Sequence, residues 1–178
     1  MRGFEDVPVD WAPASVWIAD DGTRHQTLEF IVPGQPIQQG NIISGKYGNL
    51  YDKTKGLRPW REMVTRAATV AMRGDYRHRQ PLYKRDNGAL QLDVFIGPVM
   101  LDVTFVRQRP KTKPKREGTA HTKFPDLDKL VRAVGDSMTG VVWNDDTQVV
   151  EIHCRKRYAD VEESPGAIVL VTSNVEVK

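Results

Sequence analysis

Pro125-Asp126-Leu127-Asp128-Lys129-Leu130-Val131-Arg132 opens the stretch that decides how this chain folds, and Trp143-Asn144-Asp145-Asp146-Thr147-Gln148 closes it. Between the two, Leu127, Leu130, Val131, Val134 and Met138 recur at the spacing of one helical face. Gly140 then supplies a residue suited to stop the helix. The chain leaves one acidic element, climbs a short helix and reaches a second acidic pair. A hard divalent cation takes carboxylate oxygens from separate parts of a sequence that converge in space. The layout predicts that two acids before the helix and one after it meet within a few ångströms, with room for an ion among them.

Upstream runs Arg107-Gln108-Arg109-Pro110-Lys111-Thr112-Lys113-Pro114-Lys115-Arg116, with no acid inside it. The run lacks apolar periodicity and its cations repel one another at short range, so it reads as a mobile loop that an anionic partner would order. Cations beside a carboxylate cluster suit a polyanionic substrate whose reacting phosphate is neutralised by a metal, which points to a metal-dependent nuclease. Arg107, Arg109, Lys111, Lys113, Lys115 and Arg116, with Lys123 and Lys129 next to the acids, are the candidate DNA contacts.

The acids have simpler readings. Pro125 disfavours a helical residue before it, so Asp126 belongs to an extended lead-in and Asp128 to the first helical turn. There either carboxylate could merely complement the helix dipole, at ~0.3–1 kcal/mol each. Asp145 and Asp146 could be turn residues, although Asn144, Asp145 and Asp146 together exceed what a turn needs. Arg132 lies one turn beyond Asp128 and could pair with it.

The pattern Asp126-Leu127-Asp128-Lys129-Leu130, followed by Arg132, Asp136 and Asp145-Asp146-Thr147-Gln148-Val149-Val150, resembles the RusA family of Holliday-junction resolvases, most closely the versions carried by phages and prophages. The likeness is strong from about Phe124 to Val150 and extends in strand order from about Leu28 to Val171. It implies Mg²⁺ bound by Asp126, Asp128 and Asp146 (Mn²⁺ as a substitute, Asp145 as the fallback ligand), a homodimer, and paired nicking of four-way DNA to leave 5′ phosphates and 3′ hydroxyls. The metal would activate a water, while Arg132 or a loop lysine stabilised the developing charge. Arginine stands at 132 where the family usually has lysine; it can clamp a phosphate but cannot shuttle a proton. Lys129 replaces the family's usual asparagine.

Length and composition agree with one soluble domain. The chain has 178 residues, 28% charged and 39% hydrophobic, with a formal net charge of +3, and a pI near 9.0. Clustering of cations therefore matters more than their sum. The single cysteine, Cys154, excludes an internal disulfide framework, suggests a reducing compartment, and reads as a buried strand thiol. No apolar run is long enough for a membrane span and the first residues lack a signal-peptide core, so a cytoplasmic protein is expected. The four histidines show no zinc-ligand spacing, and no glycine-rich phosphate loop or nucleophile elbow occurs.

The remaining pattern predicts a strand at Thr27–Val32, a polar loop at Ile37–Tyr51 that is a phosphate contact or a solvated connection and that the resemblance implies lies near substrate, and a helix over Leu57–Arg73 closed by Gly74. A hairpin turn is predicted at Asn87-Gly88, and strands at Val99–Val106, Thr147–Arg157 and Ala167–Val171. The order βαβαββ implies an α+β domain: a single mixed sheet of about four strands, two helices packed on one face. Residues 27–178 form this domain, and 1–26 an extension whose tryptophans suit an edge strand or a dimer arm. Two other functions compete. One is a DxD-type glycosyltransferase holding a nucleotide sugar, for which the chain is short. The other is a non-catalytic DNA-binding module whose acids are only helix caps.

Overall fold

In the computed structural model, residues 14–18, 23–40, 42–44, 50–73, 83–84, 90–91, 94–112 and 118–176 are described. Among the described residues nine strands and two α-helices follow in order: β1 (Ala14–Ile18), β2 (Thr23–Pro33), β3 (Ile42–Ser44), β4 (Leu50–Asp52), α1 (Leu57–Arg73), β5 (Tyr83–Lys84), β6 (Leu90–Gln91), β7 (Val99–Arg107), α2 (Leu127–Met138), β8 (Val149–Tyr158) and β9 (Gly166–Glu176). The main sheet has the order β1-β2-β9-β7-β8. Every neighbouring pair in it is antiparallel except β7 with β8.

The parallel β7–β8 pair dictates where the acids go. A parallel connection must carry the chain back along the sheet, and α2 makes that crossing. Along β7, Val99, Leu101, Val103 and Phe105 are buried, as the alternation predicts. They meet Leu130, Ala133, Val134 and Met138 of α2 and Trp60, Val64 and Ala68 of α1 in one core, joined by Leu28, Phe30 and Val32 of β2 and by Ala167, Val169 and Val171 of β9. Both helices cover one face of the sheet, and their bounds match the apolar spacing that announced them.

The core order is βαβαββ, so the α+β expectation holds. β1 adds a fifth strand at one edge, where Trp17 pairs with His25. The predicted polar loop at 37–51 contains a small hairpin, β3 with β4. A second hairpin, β5 with β6, flanks Asn87-Gly88; that dipeptide, Gly74 and the cations of 77–80 lie outside the described residues, as do Lys46 and Tyr47. Cys154 is a correction: it is exposed. β8 is the last strand of the sheet and α2 leaves much of it uncovered, so Val150 and Ile152 are 69% and 48% exposed as well. Among the described residues no helix is long and apolar enough to cross a membrane.

Candidate active site

The acidic lead-in is built as the proline predicts. Asp126 has extended backbone angles at the N-cap of α2, and Asp128 occupies the first turn. The Asp126 carboxylate caps nothing: it makes no hydrogen bond to the helix N-terminus and sits 3.2 Å from the Lys129 ammonium instead. Its backbone N–H donates to the Gln38 side-chain oxygen, and Gln39 N–H donates to the Lys129 carbonyl. The loop after β2 therefore grips the start of α2 from one side.

From the other side comes Lys156 of β8. Its ammonium donates to the carbonyl oxygens of Pro125 and Lys123. Burial depresses the Lys156 pKa, the nearby Asp126 raises it, and Arg107 lowers it further. His121 is buried behind this point; burial, Lys156 and Arg107 all pull its pKa down, against the hydrogen bonds that raise it. Neither Lys156 nor Gln38 was singled out from sequence as a site residue. A lysine in a strand rich in cations carries no signal of its own, and the polar glutamines of the loop gave only a general hint.

At the far end of α2 the second acidic pair divides its labour. Asp145 accepts a hydrogen bond from Thr147 N–H at 2.9 Å and caps the 3-10 turn Asp146–Gln148. That bond is the chief cause of its lowered pKa. Gln148 holds the turn in place: its side-chain oxygen accepts from the N–H groups of Asn144 and Asp145, and its amide donates to the carbonyls of Phe95 and Gly97, both at 3.0 Å. Asp146 stays exposed.

Within one copy the three carboxylates do not come together. Among the described residues no three His, Cys, Asp or Glu side chains gather closely enough to hold a metal ion. The cause is α2 itself. Twelve helical residues rise about 18 Å, and Asp126 and Asp146 flank opposite ends. The strand gives the same answer, because Lys156, beside Asp126, and Val149, beside Asp146, stand on the order of 23 Å apart along β8. One chain taken alone therefore does not fit Mg²⁺ at all three acids.

The cations also sort themselves. Arg107 is half-buried and donates to the Pro36 carbonyl. Arg109 bonds the Ala159 carbonyl and, with a side chain only 11% exposed, lies 3.6 Å from Asp160. These two brace the end of β7 rather than face solvent, contrary to the mobile loop predicted for them. Lys111, Lys123 and Arg132 are exposed and Lys129 partly so, while Lys113, Lys115 and Arg116 lie outside the described residues. Neither Asp128 nor Arg132 forms an ion pair with another described residue. Asp136 does, with Arg61 of α1 at 2.5 Å, which ties the two helices together.

Comparison with known proteins supplies the context for this arrangement. The chain is 27% identical over 146 residues to the uncharacterized protein YqaN of Bacillus subtilis (strain 168), covering 75% of this chain and 89% of that one. The family model for endodeoxyribonuclease RusA matches residues 33–172, from the end of β2 into β9. The chain therefore belongs to the RusA family of endodeoxyribonucleases, hydrolases that cut DNA phosphodiester bonds at Holliday junctions.

Proposed function

We propose that this protein is a homodimeric, Mg²⁺-dependent resolvase that makes paired nicks in four-way DNA during recombination and repair or phage DNA processing, inside the cell that expresses it. Residues 27–178 carry the nuclease and 1–26 extend it. Asp126, Asp128 and Asp146 are its metal ligands, and Arg132 stabilises charge on the phosphate. Lys111, Lys113, Lys115, Arg116, Lys123 and Lys129 hold the DNA backbone; Arg107 and Arg109 support the strand that leads to them.

The observation that carries this reading is the state of the carboxylates at the two ends of α2. Asp126 is not spent as a helix cap, which disfavours a binding module whose acids are only structural. Asp145 is spent as one, which leaves Asp146 as the acid on offer at the far end. Helix α2 keeps the two groups of acids apart within one copy, so the reading requires Asp146 of a second copy to complete the site begun by Asp126 and Asp128. A C₂ dimer has two such composite sites, which matches a junction with two equivalent strands to cut.

Arg132 suits its role by chemistry. It is exposed one turn beyond Asp128 and offers a planar pair of donors to phosphate oxygens without any need to titrate. The test is incubation of the protein with a synthetic four-way junction, with and without Mg²⁺. Resolution into paired nicked duplexes only with the metal, abolished in Asp128→Asn while junction binding persists, is the expected result. Cleavage by Asp128→Asn in Mg²⁺ would remove the assignment.

A further inference from the structure

Asp128, Arg132 and Asp136 recur every fourth residue and so share one flank of α2. That flank is the one beside α1, because Asp136 meets Arg61 and the neighbouring Ser137 carbonyl accepts from the Thr65 hydroxyl at 2.9 Å. The two helices run in the same direction. β2 and β7 are both antiparallel to β9, and β7 is parallel to β8, so α1 and α2 are return legs between like-directed strands. Their starts are tied as well. Gln39 N–H donates to the Lys129 carbonyl, and Gly40 N–H donates to Asp52 at 2.6 Å. Asp52 also accepts from Thr54 N–H at 2.7 Å, just before α1 begins.

One turn back from the Arg61–Asp136 bridge, Arg58 of α1 comes level with Arg132 of α2. Both are exposed, Arg58 with 91% of its side chain open, and packed helices set their axes about 8–10 Å apart. The groove at this level continues past Lys55, exposed in the lead-in to α1. Beside it opens a hollow of about 500 Å³ whose lining includes Thr54, Arg58, Arg61 and Arg66. α1 has no acid in its first turn, so no carboxylate there offsets the positive end of its dipole.

The groove holds acids too, and each is engaged. Both Asp52 oxygens accept backbone N–H groups, Asp136 holds Arg61, and Glu62 holds Arg58 at 3.0 Å. The Arg58–Glu62 pair is open to solvent on both sides, at 91% and 64% exposure, and an exposed pair of this kind contributes little to folding. A phosphate competes well for Arg58, since a guanidinium matches two of its oxygens at once.

We infer that the groove between α1 and α2 is a track for one DNA strand: from the acids at the start of α2 the strand passes Arg132 and then Arg58 and Lys55, which hold its phosphates. The assignment rests on the nuclease reading above and adds to it a helix, α1, that the reading leaves unused. Arg132 stands one turn, about 6 Å, beyond Asp128. A strand carries one phosphate for each ~3.4 Å of duplex axis, so these cations meet the phosphates next to the one that is cut. Glu62 is a built-in competitor that the phosphate displaces from Arg58.

The test measures binding of a labelled synthetic four-way junction to the full chain in EDTA, where nothing is cut, over a series of salt concentrations. Each phosphate contact contributes about one unit to the slope of log affinity against log salt. Arg58→Ala combined with Lys55→Ala should therefore lower the slope by about two units and weaken binding at low salt, with the fold intact by circular dichroism. Glu62→Gln should tighten binding. Arg155→Gln removes an equal charge on the sheet face that no helix covers, where Arg155 bonds the Thr104 hydroxyl, and should leave the slope unchanged. A slope indifferent to Lys55 and Arg58, a slope that Arg155→Gln lowers as much as Arg58→Ala does, or an affinity that Glu62→Gln fails to raise overturns the track. A chain whose slope falls with Lys55 and Arg58 yet that cuts no junction in Mg²⁺ keeps the DNA surface and removes the nuclease reading; a chain that cuts with its slope unmoved does the reverse.

Discussion

Lys156 of β8 donates from its ammonium to the carbonyl oxygen of Pro125, the residue that delivers Asp126 to the start of α2. A second bond to the Lys123 carbonyl makes the lysine a clamp across the two residues flanking Phe124. Carbonyls are held this way where a loop must keep one shape, because a charged donor to a part-buried acceptor contributes more than a neutral one. Lys156→Met keeps the apolar stem and deletes the clamp. It should cost about 1–2 kcal/mol in denaturant unfolding. Junction affinity should change little while the rate at saturating junction falls, since the acids lose their placement and the DNA-holding cations do not. A fall in affinity with an unchanged saturated rate would make Lys156 a DNA contact instead.

Gln148 explains why the acidic turn ends as it does. Its amide joins four partners, two on the turn and two on the segment before β7. Gln148→Glu retains the acceptor oxygen and turns the donor into a second carboxylate oxygen facing the Phe95 and Gly97 carbonyls. Two donated bonds become repulsions, and the expected loss is about 2–3 kcal/mol. Cleavage should drop with it, because Asp146 rides on that turn. Thermal unfolding and nicking assays on the same preparation check both effects.

How far the sequence was legible follows from which features are local. The bounds of α1 and α2 were readable because the apolar spacing that marks each helix acts within a few residues. β7 was readable because both its faces are decided by alternation. The hairpin of β3 and β4 was not, since its short strands lie in polar surroundings that read as loop. The acids were recognisable as residues and misread as a place. Nothing in the spacing of Asp128 and Asp146 reveals that the helix between them is a one-way leg, whereas the parallel pairing of β7 and β8, a long-range property, makes it one. Arg107 and Arg109 were misread for a related reason: whether an arginine meets solvent or a carbonyl depends on what the fold packs beside it.

The turn before β9 has its own pH signature. Arg157 holds Glu163 through two side-chain bonds, and this pairing is the chief cause of a Glu163 pKa below its ordinary value, burial acting the other way. A carboxylate depressed in the folded state adds stability above its unfolded pKa of about 4.3, and that contribution disappears as pH falls through the lower folded value. Glu163→Gln should therefore cost about 1–3 kcal/mol near neutrality. The gap between wild type and variant should stay constant down to about pH 5 and close below it. Chemical unfolding across pH 3–7 measures this; a gap that widens in acid would contradict the sign.

Sharing of the site between copies has a sharp genetic consequence. Consider Asp128→Asn and Asp146→Asn, each expected to be inactive as a homodimer. In a mixed dimer of one of each, a site confined to a single chain is broken twice, once in each copy. A site built from Asp126 and Asp128 of one copy and Asp146 of the other behaves differently: both defects fall in the same composite site, and the other is whole. A mixed dimer purified through two different tags should thus nick one strand of a four-way junction at roughly half the wild-type first-strand rate, one site of the symmetric pair surviving. It should not complete the paired cut on the opposite strand. Gel analysis with each strand labelled separately distinguishes nick from resolution, and a mixed dimer as dead as its parents would return the acids to a single chain.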